Sequence, residues 1–127
     1  MIDIDKVVHS LSTKDIIEIM ESLGCDDYID QDKALIFRTA CHHVNQEDGS
    51  YKLYYYKKDK VFTCYTGCGT FNIIGFIQKR YELLNIEYDF YKDILLPLAE
   101  RANVSAIATQ KSFIDSYDLV VDKYRKK

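Results

Sequence analysis

Val61-Phe62-Thr63-Cys64-Tyr65-Thr66-Gly67-Cys68-Gly69 is the stretch on which the reading of this chain turns. It places two thiols on a tight turn that contains glycine. About twenty residues upstream stands a second cluster, Cys41-His42-His43. Together the clusters can supply four soft or borderline ligands, the set that a closed tetrahedral Zn²⁺ site requires. Between them, Lys52-Leu53-Tyr54-Tyr55-Tyr56-Lys57-Lys58-Asp59-Lys60 reads as strand, turn, strand. A metal that clamps both ends of a basic, aromatic hairpin makes a zinc ribbon. The fold class expected is therefore α+β, a small antiparallel zinc-ribbon sheet with flanking α-helices.

Outward from the hairpin, the pattern changes period. Ser12 is a candidate N-cap with Asp15 in capping-box position, and Ile16, Ile17, Ile19, Met20 and Leu23 follow on one helical face. Gly24 is a natural stop. Asp26 to Lys33 reads as a polar, acidic loop, and Ala34 to Thr39 as a strand leading into Cys41. The hairpin strands are expected at about 51–57 and 60–65. Alternation puts Lys52, Tyr54, Tyr56 and Lys58 on one face, and Tyr51, Leu53, Tyr55 and Lys57 on the other; Tyr51, Leu53 and Tyr55 are expected to pack inward, the reverse assignment of faces being the alternative. After Gly69, Thr70 or Asn72 can cap a helix bearing Ile73, Ile74, Phe76, Ile77 and Tyr81. A further helical region is expected from about Asp89 to Ala102, with a kink or a new turn at Pro97. Ser112 and Asp115 suggest a cap before a final helix.

A length of 127 residues suits one domain, or a small domain with an appendage, and the division expected is 1–104 with a C-terminal helix or linker at 105–127. No apolar run approaches a membrane span, and the acidic N-terminus lacks the layout of a signal peptide. The chain reads as cytoplasmic, without a membrane partner, and its four Cys as reduced thiols or metal ligands. A net charge of −3 hides an asymmetry. Residues 1–50 carry 4 basic and 11 acidic side chains, whereas residues 51–80 carry 6 basic and 1 acidic. The basic block coincides with the hairpin, so an anion-facing surface is expected there. Its candidate contacts are Lys52, Tyr54, Tyr56, Lys58, Lys60 and Tyr65.

Within the ligand set, Cys41, Cys64 and Cys68 are joined by one histidine. On a regular strand Cys41 and His43 would face the same way, which favours His43; a turn would remove that preference and leave His42 open. Cys25 stands apart and reads as a small buried residue, and His9 as a surface histidine on a helix face.

These residues resemble the N-terminal zinc-binding domain of bacterial-type DNA primases, especially the divergent form of phages and mobile elements. The matching pieces are Thr39-Ala40-Cys41-His42, Lys52-Leu53-Tyr54-Tyr55-Tyr56, the Phe62 to Gly69 knuckle and Phe71-Asn72-Ile73-Ile74-Gly75-Phe76-Ile77. Leu98-Ala99-Glu100-Arg101-Ala102 resembles the closing element of that family. The resemblance covers roughly residues 10–104. It implies a zinc ribbon that helps recognise single-stranded template DNA during RNA primer synthesis, and in the phage-like form it points to His42. The Cys-x3-Cys and Cys-His spacings depart from the usual bacterial Cys-x2-Cys and Cys-x2-His.

No catalytic site is expected within the chain. Primase chemistry needs acidic residues that hold divalent metals, whereas Asp26-Asp27 and Glu47-Asp48 read as solvated loop acids. The chain is thus expected to be a fragment or accessory of a primase. Its expected partners are a single-stranded DNA template and a replicative helicase or a catalytic primase domain. A zinc-stapled protein–protein adaptor is the competing expectation, because the acidic N-terminal half suits a basic partner.

Overall fold

A computed structural model describes residues 2–104 of the chain; the expected helix or linker at 105–127 lies outside them. Two short helices open the fold, α1 (Ile4–Ser10) and α2 (Thr13–Ser22). Ser12 caps α2 through a reciprocal box: its hydroxyl accepts from the Asp15 N–H at 3.1 Å, and the Asp15 carboxylate accepts from the Ser12 N–H at 2.9 Å. Gly24, with φ of +85°, ends the helix in a left-handed turn where the Cys25 N–H reaches back to the Met20 carbonyl. Helix α1 was not anticipated, because its pattern spans only two turns; Val7 and Val8 are what it buries.

Five strands follow as an antiparallel meander in the order β1-β2-β3-β4-β5. They are β1 (Tyr28–Asp30), β2 (Ala34–Phe37), β3 (Leu53–Tyr56), β4 (Val61–Cys64) and β5 (Gly69–Phe71). The α+β class is as expected, but the sheet is wider than the hairpin that the sequence announces. Strand β1 lies within the acidic stretch read as a loop. Its three residues pair with β2, Ile29 opposite Ile36, a partner that no local pattern could supply. Strand β5 is the exit of the cysteine turn, paired Cys64 to Gly69 and Phe62 to Phe71.

Register decides the two faces. Leu35, Phe37, Leu53, Tyr55, Phe62 and Cys64 point inward and are buried. Helix α3 (Ile73–Leu83), capped by the Asn72 side chain on the Gly75 N–H, lays Phe76 against Phe62 with ring centroids 5.4 Å apart. The buried residues of α1 and α2 belong to the same core. Ile36, Tyr54, Thr63 and Thr70 form a row on the opposite, outer face, with Ala34, Tyr56 and Val61 beside it. Tyr51 departs from the expected inward face: it is half-buried, its hydroxyl donating to Asp27 at 2.7 Å and its ring lying under Arg38. It precedes β3, so strand alternation does not govern it.

The last described segment is a π-helical stretch, Phe90–Leu95, that runs into α4 (Leu96–Arg101). Pro97 sits in the first turn of α4, at the junction where the π-helical stretch passes into it. Arg101 ties this end to α2 through Glu18 at 2.6 Å and Asp15 at 3.4 Å. No helix among the described residues is long and apolar enough to cross a membrane.

Candidate metal centre and tyrosine face

Strand β2 ends at Phe37, and the chain turns before it reaches Cys41. The turn cancels the strand alternation that would have selected His43. The His42 Nδ1 atom instead faces the sulfurs, 3.4 Å from Cys41, 3.1 Å from Cys68 and 3.9 Å from Cys64. The donor atoms of Cys41, His42, Cys64 and Cys68 all lie within 4.8 Å of one another, so the cluster can hold a metal ion. His43 turns away; its Nδ1 meets the Thr39 carbonyl at 3.0 Å and the Thr39 hydroxyl at 3.2 Å.

The second ligand pair owes its shape to glycine. Gly67 and Gly69 have φ of +129° and +83°, and no side chain crowds either; backbone conformation alone demands glycine there. Cys64 closes β4 and is buried, whereas Cys68 is half-buried. Burial would raise the Cys64 thiol. Hydrogen bonds from the Thr66 hydroxyl and from the Cys68 and Thr66 backbone outweigh it and bring the thiol down to about 7. Burial, joined by the neighbouring thiols of Cys68 and Cys64, pushes Cys41 well up, and burial also raises Cys68. Burial holds His42 below the ordinary histidine value, with His43 adding to the effect, which keeps the imidazole neutral as a ligand must be. Thr66 was not anticipated as part of this site. Cys25 is isolated and buried, its thiol raised to about 11 by burial, and His9 is exposed on α1, as the sequence led us to expect.

Directly beyond Cys64 the outer face carries a tyrosine cluster. Tyr54 and Tyr56 stack with centroids 6.0 Å apart, and Tyr65 meets Tyr54 edge-on at 5.2 Å. The Tyr56 and Tyr65 hydroxyls share a hydrogen bond. With Lys52 these three rings line a shallow groove. Tyr65 is 57% exposed, unusual for so large a ring. The structure thus gathers Lys52, Tyr54, Tyr56 and Tyr65 from the expected contacts. Lys58 is exposed on the 57–60 turn and does not line the groove. Lys60 is directed elsewhere: its ammonium donates to the Leu11 carbonyl at 2.7 Å, fastening the hairpin to the α1–α2 junction.

The basic block is correspondingly thinner on the surface than in the sequence. Lys57 is paired with Asp30 at 2.7 Å, and Arg80 is buried. Asp27, read as a solvated acid, is held by Arg38 at 2.7 Å and by Tyr51, and these hydrogen bonds lower its pKa. Arg80 is the residue of this region that the sequence reading passed over. The available signal was its place at the end of the Ile73, Phe76, Ile77 stripe, where an arginine interrupts an apolar face.

Comparison with known proteins adds one relative. The chain is 34% identical, over 134 aligned residues, to the SPbeta prophage-derived uncharacterized protein YorJ of Bacillus subtilis (strain 168). The match takes in 98% of this chain and 34% of that protein, so the chain spans about a third of the length of the curated relative it matches. No family model and no solved structure matches.

Proposed function

We propose that this chain is a zinc-ribbon module of the DNA-primase kind, which holds one Zn²⁺ through Cys41, His42, Cys64 and Cys68 and binds unpaired template DNA on its outer sheet face. Three sulfurs and one imidazole nitrogen suit Zn²⁺, whose bond lengths imply donor separations of about 3.5–3.8 Å in a tetrahedron. The nitrogen–sulfur separations of 3.1–3.9 Å bracket that range. A closed four-ligand site leaves no position for a reacting water, so the metal is a staple and the module is not catalytic by itself. Among the described residues no second cluster of metal ligands accompanies it.

The observation that carries the DNA reading is the groove of Lys52, Tyr54, Tyr56 and Tyr65 beside the cysteine turn. Unpaired bases stack on exposed rings, each worth about 1–3 kcal/mol, and lysine neutralises phosphate. A lysine in the groove also disfavours a cationic ligand, which three tyrosines alone could have caged. The prophage origin of YorJ, and its length beyond the matched region, suit a replication module that works beside a catalytic primase domain or a replicative helicase.

Fluorescence anisotropy with a labelled single-stranded oligonucleotide tests the proposal. A small groove offers few phosphate contacts, so the affinity expected is on the order of 10⁻⁴–10⁻⁶ M, falling as salt rises. Lys52→Ala should flatten the salt dependence. Tyr54→Ala should weaken binding with the slope nearly unchanged. No anisotropy change at low salt with high micromolar protein would remove the DNA reading and favour the zinc-stapled adaptor.

A further inference from the structure

Arg80 is 3% exposed, yet no carboxylate lies within ion-pair distance of it among the described residues. Burying a guanidinium without a counter-charge is costly unless its N–H groups are met. Here backbone carbonyls meet them. Nε donates to Leu23 at 3.0 Å, Nη1 to Ala40 at 3.1 Å and His43 at 2.8 Å, and Nη2 to Val44 at 2.8 Å. Three of these four acceptors bracket Cys41 and His42. The fourth ends the turn of chain that closes α2.

The donor side of this arrangement matters as much. Arg80 sits on α3, which begins just after the Cys68 turn and packs on the sheet beside Cys64. The arginine therefore joins the element that follows the second ligand pair to the loop that carries the first. Carbonyl oxygens are fixed acceptors, and a planar fork meets several of them in one geometry, as a lysine cannot. Three thiolates also outnumber the charge of a divalent cation, so a loaded centre is net anionic and suits a buried cation behind its loop.

We propose that Arg80 is the positioning residue of the metal centre, holding the Cys41-His42 loop in its ligating shape before metal arrives. This rests on the metal reading above. Outer partners that orient ligands commonly change metal affinity by about ten- to a hundredfold when they are removed.

The test is Co²⁺ titration of the whole chain, read from the visible bands of tetrahedral thiolate-bound cobalt. If the wild-type chain shows no such bands, the metal reading itself fails. If it does, Arg80→Met should bind Co²⁺ at least about tenfold more weakly and with displaced bands, and Arg80→Lys should fall between. Ile77→Ala, a cavity in the same helix, controls for stability: at a matched loss of melting temperature it should keep the wild-type spectrum. Wild-type-like cobalt binding by Arg80→Met overturns the proposal, as does an equal loss of affinity with the same displaced bands in Ile77→Ala. Should the Arg80 variants fail to fold, the wild-type protein still decides the matter. After chelation, the Arg80 Nη protons, which meet the Ala40, His43 and Val44 carbonyls, should remain slow to exchange with solvent, whereas free exchange would show that the loop is not held before metal binds and would overturn the proposal.

Discussion

At the residue scale, two adjacent imidazoles do different work because the backbone turns between Thr39 and His42. His42 meets three sulfurs, and His43 meets Thr39. The protein purified without added metal should therefore contain about one zinc per chain. His42→Ala should lose most of it, whereas His43→Ala should retain it. Elemental analysis of the two single variants separates these outcomes, and equal retention would contradict the assignment. The hydrogen bonds of Thr66 and of the Cys68 N–H to the Cys64 sulfur act in the same direction, since the thiolate is the form that binds metal.

At the scale of elements, the ribbon and the helices rest on different forces. Helix α2 is held by its Ser12 box, its Gly24 turn and an apolar face. The 39–52 stretch has little regular structure, a single 3₁₀ turn at Gln46–Asp48, and depends on side-chain bonds such as Arg38 to the Gly49 carbonyl. A short hairpin and its loops bury too little apolar surface to order themselves without help. Removing metal should therefore release amide protection in the 64–69 turn, with α2, α3 and the loop that Arg80 holds largely protected. Amide exchange with and without chelator measures this, and identical protection in the two states would deny the metal a structural role.

At the scale of the whole molecule, the helices and the tyrosine cluster take opposite faces of the sheet. The helices bury against the inner face of the sheet, with Asp3 exposed as the cap of α1 and Asp5 exposed on it, while the tyrosines lie on the outer face. An acidic chain can still bind an anion if the attraction is local, because salt screens charges beyond about 10 Å at 0.1 M. Neutralising Asp3 and Asp5 together should then change oligonucleotide affinity by less than about twofold at that ionic strength. A large gain would mean that net charge, not the Lys52 and tyrosine groove, governs binding.

Much of this arrangement was legible in the chain itself. Period-two alternation along Leu53 to Tyr56 sorted inward from outward rings, since side chains of successive strand residues must point to opposite faces. Ser12, Asp15 and Gly24 marked the ends of α2, and the two cysteine clusters marked a set of side chains able to hold a metal ion, because these effects act over a few residues. Tertiary structure alone decided the rest. Strand β1 exists only through its pairing with β2, and Lys60 left the outer surface because the Leu11 carbonyl, far away in sequence, accepts a hydrogen bond from its ammonium. His42 was chosen over His43 by a turn whose carbonyls Arg80 holds from another helix. Local propensity and spacing are written in neighbouring residues, whereas a hydrogen bond between distant segments is set only when the core brings them together.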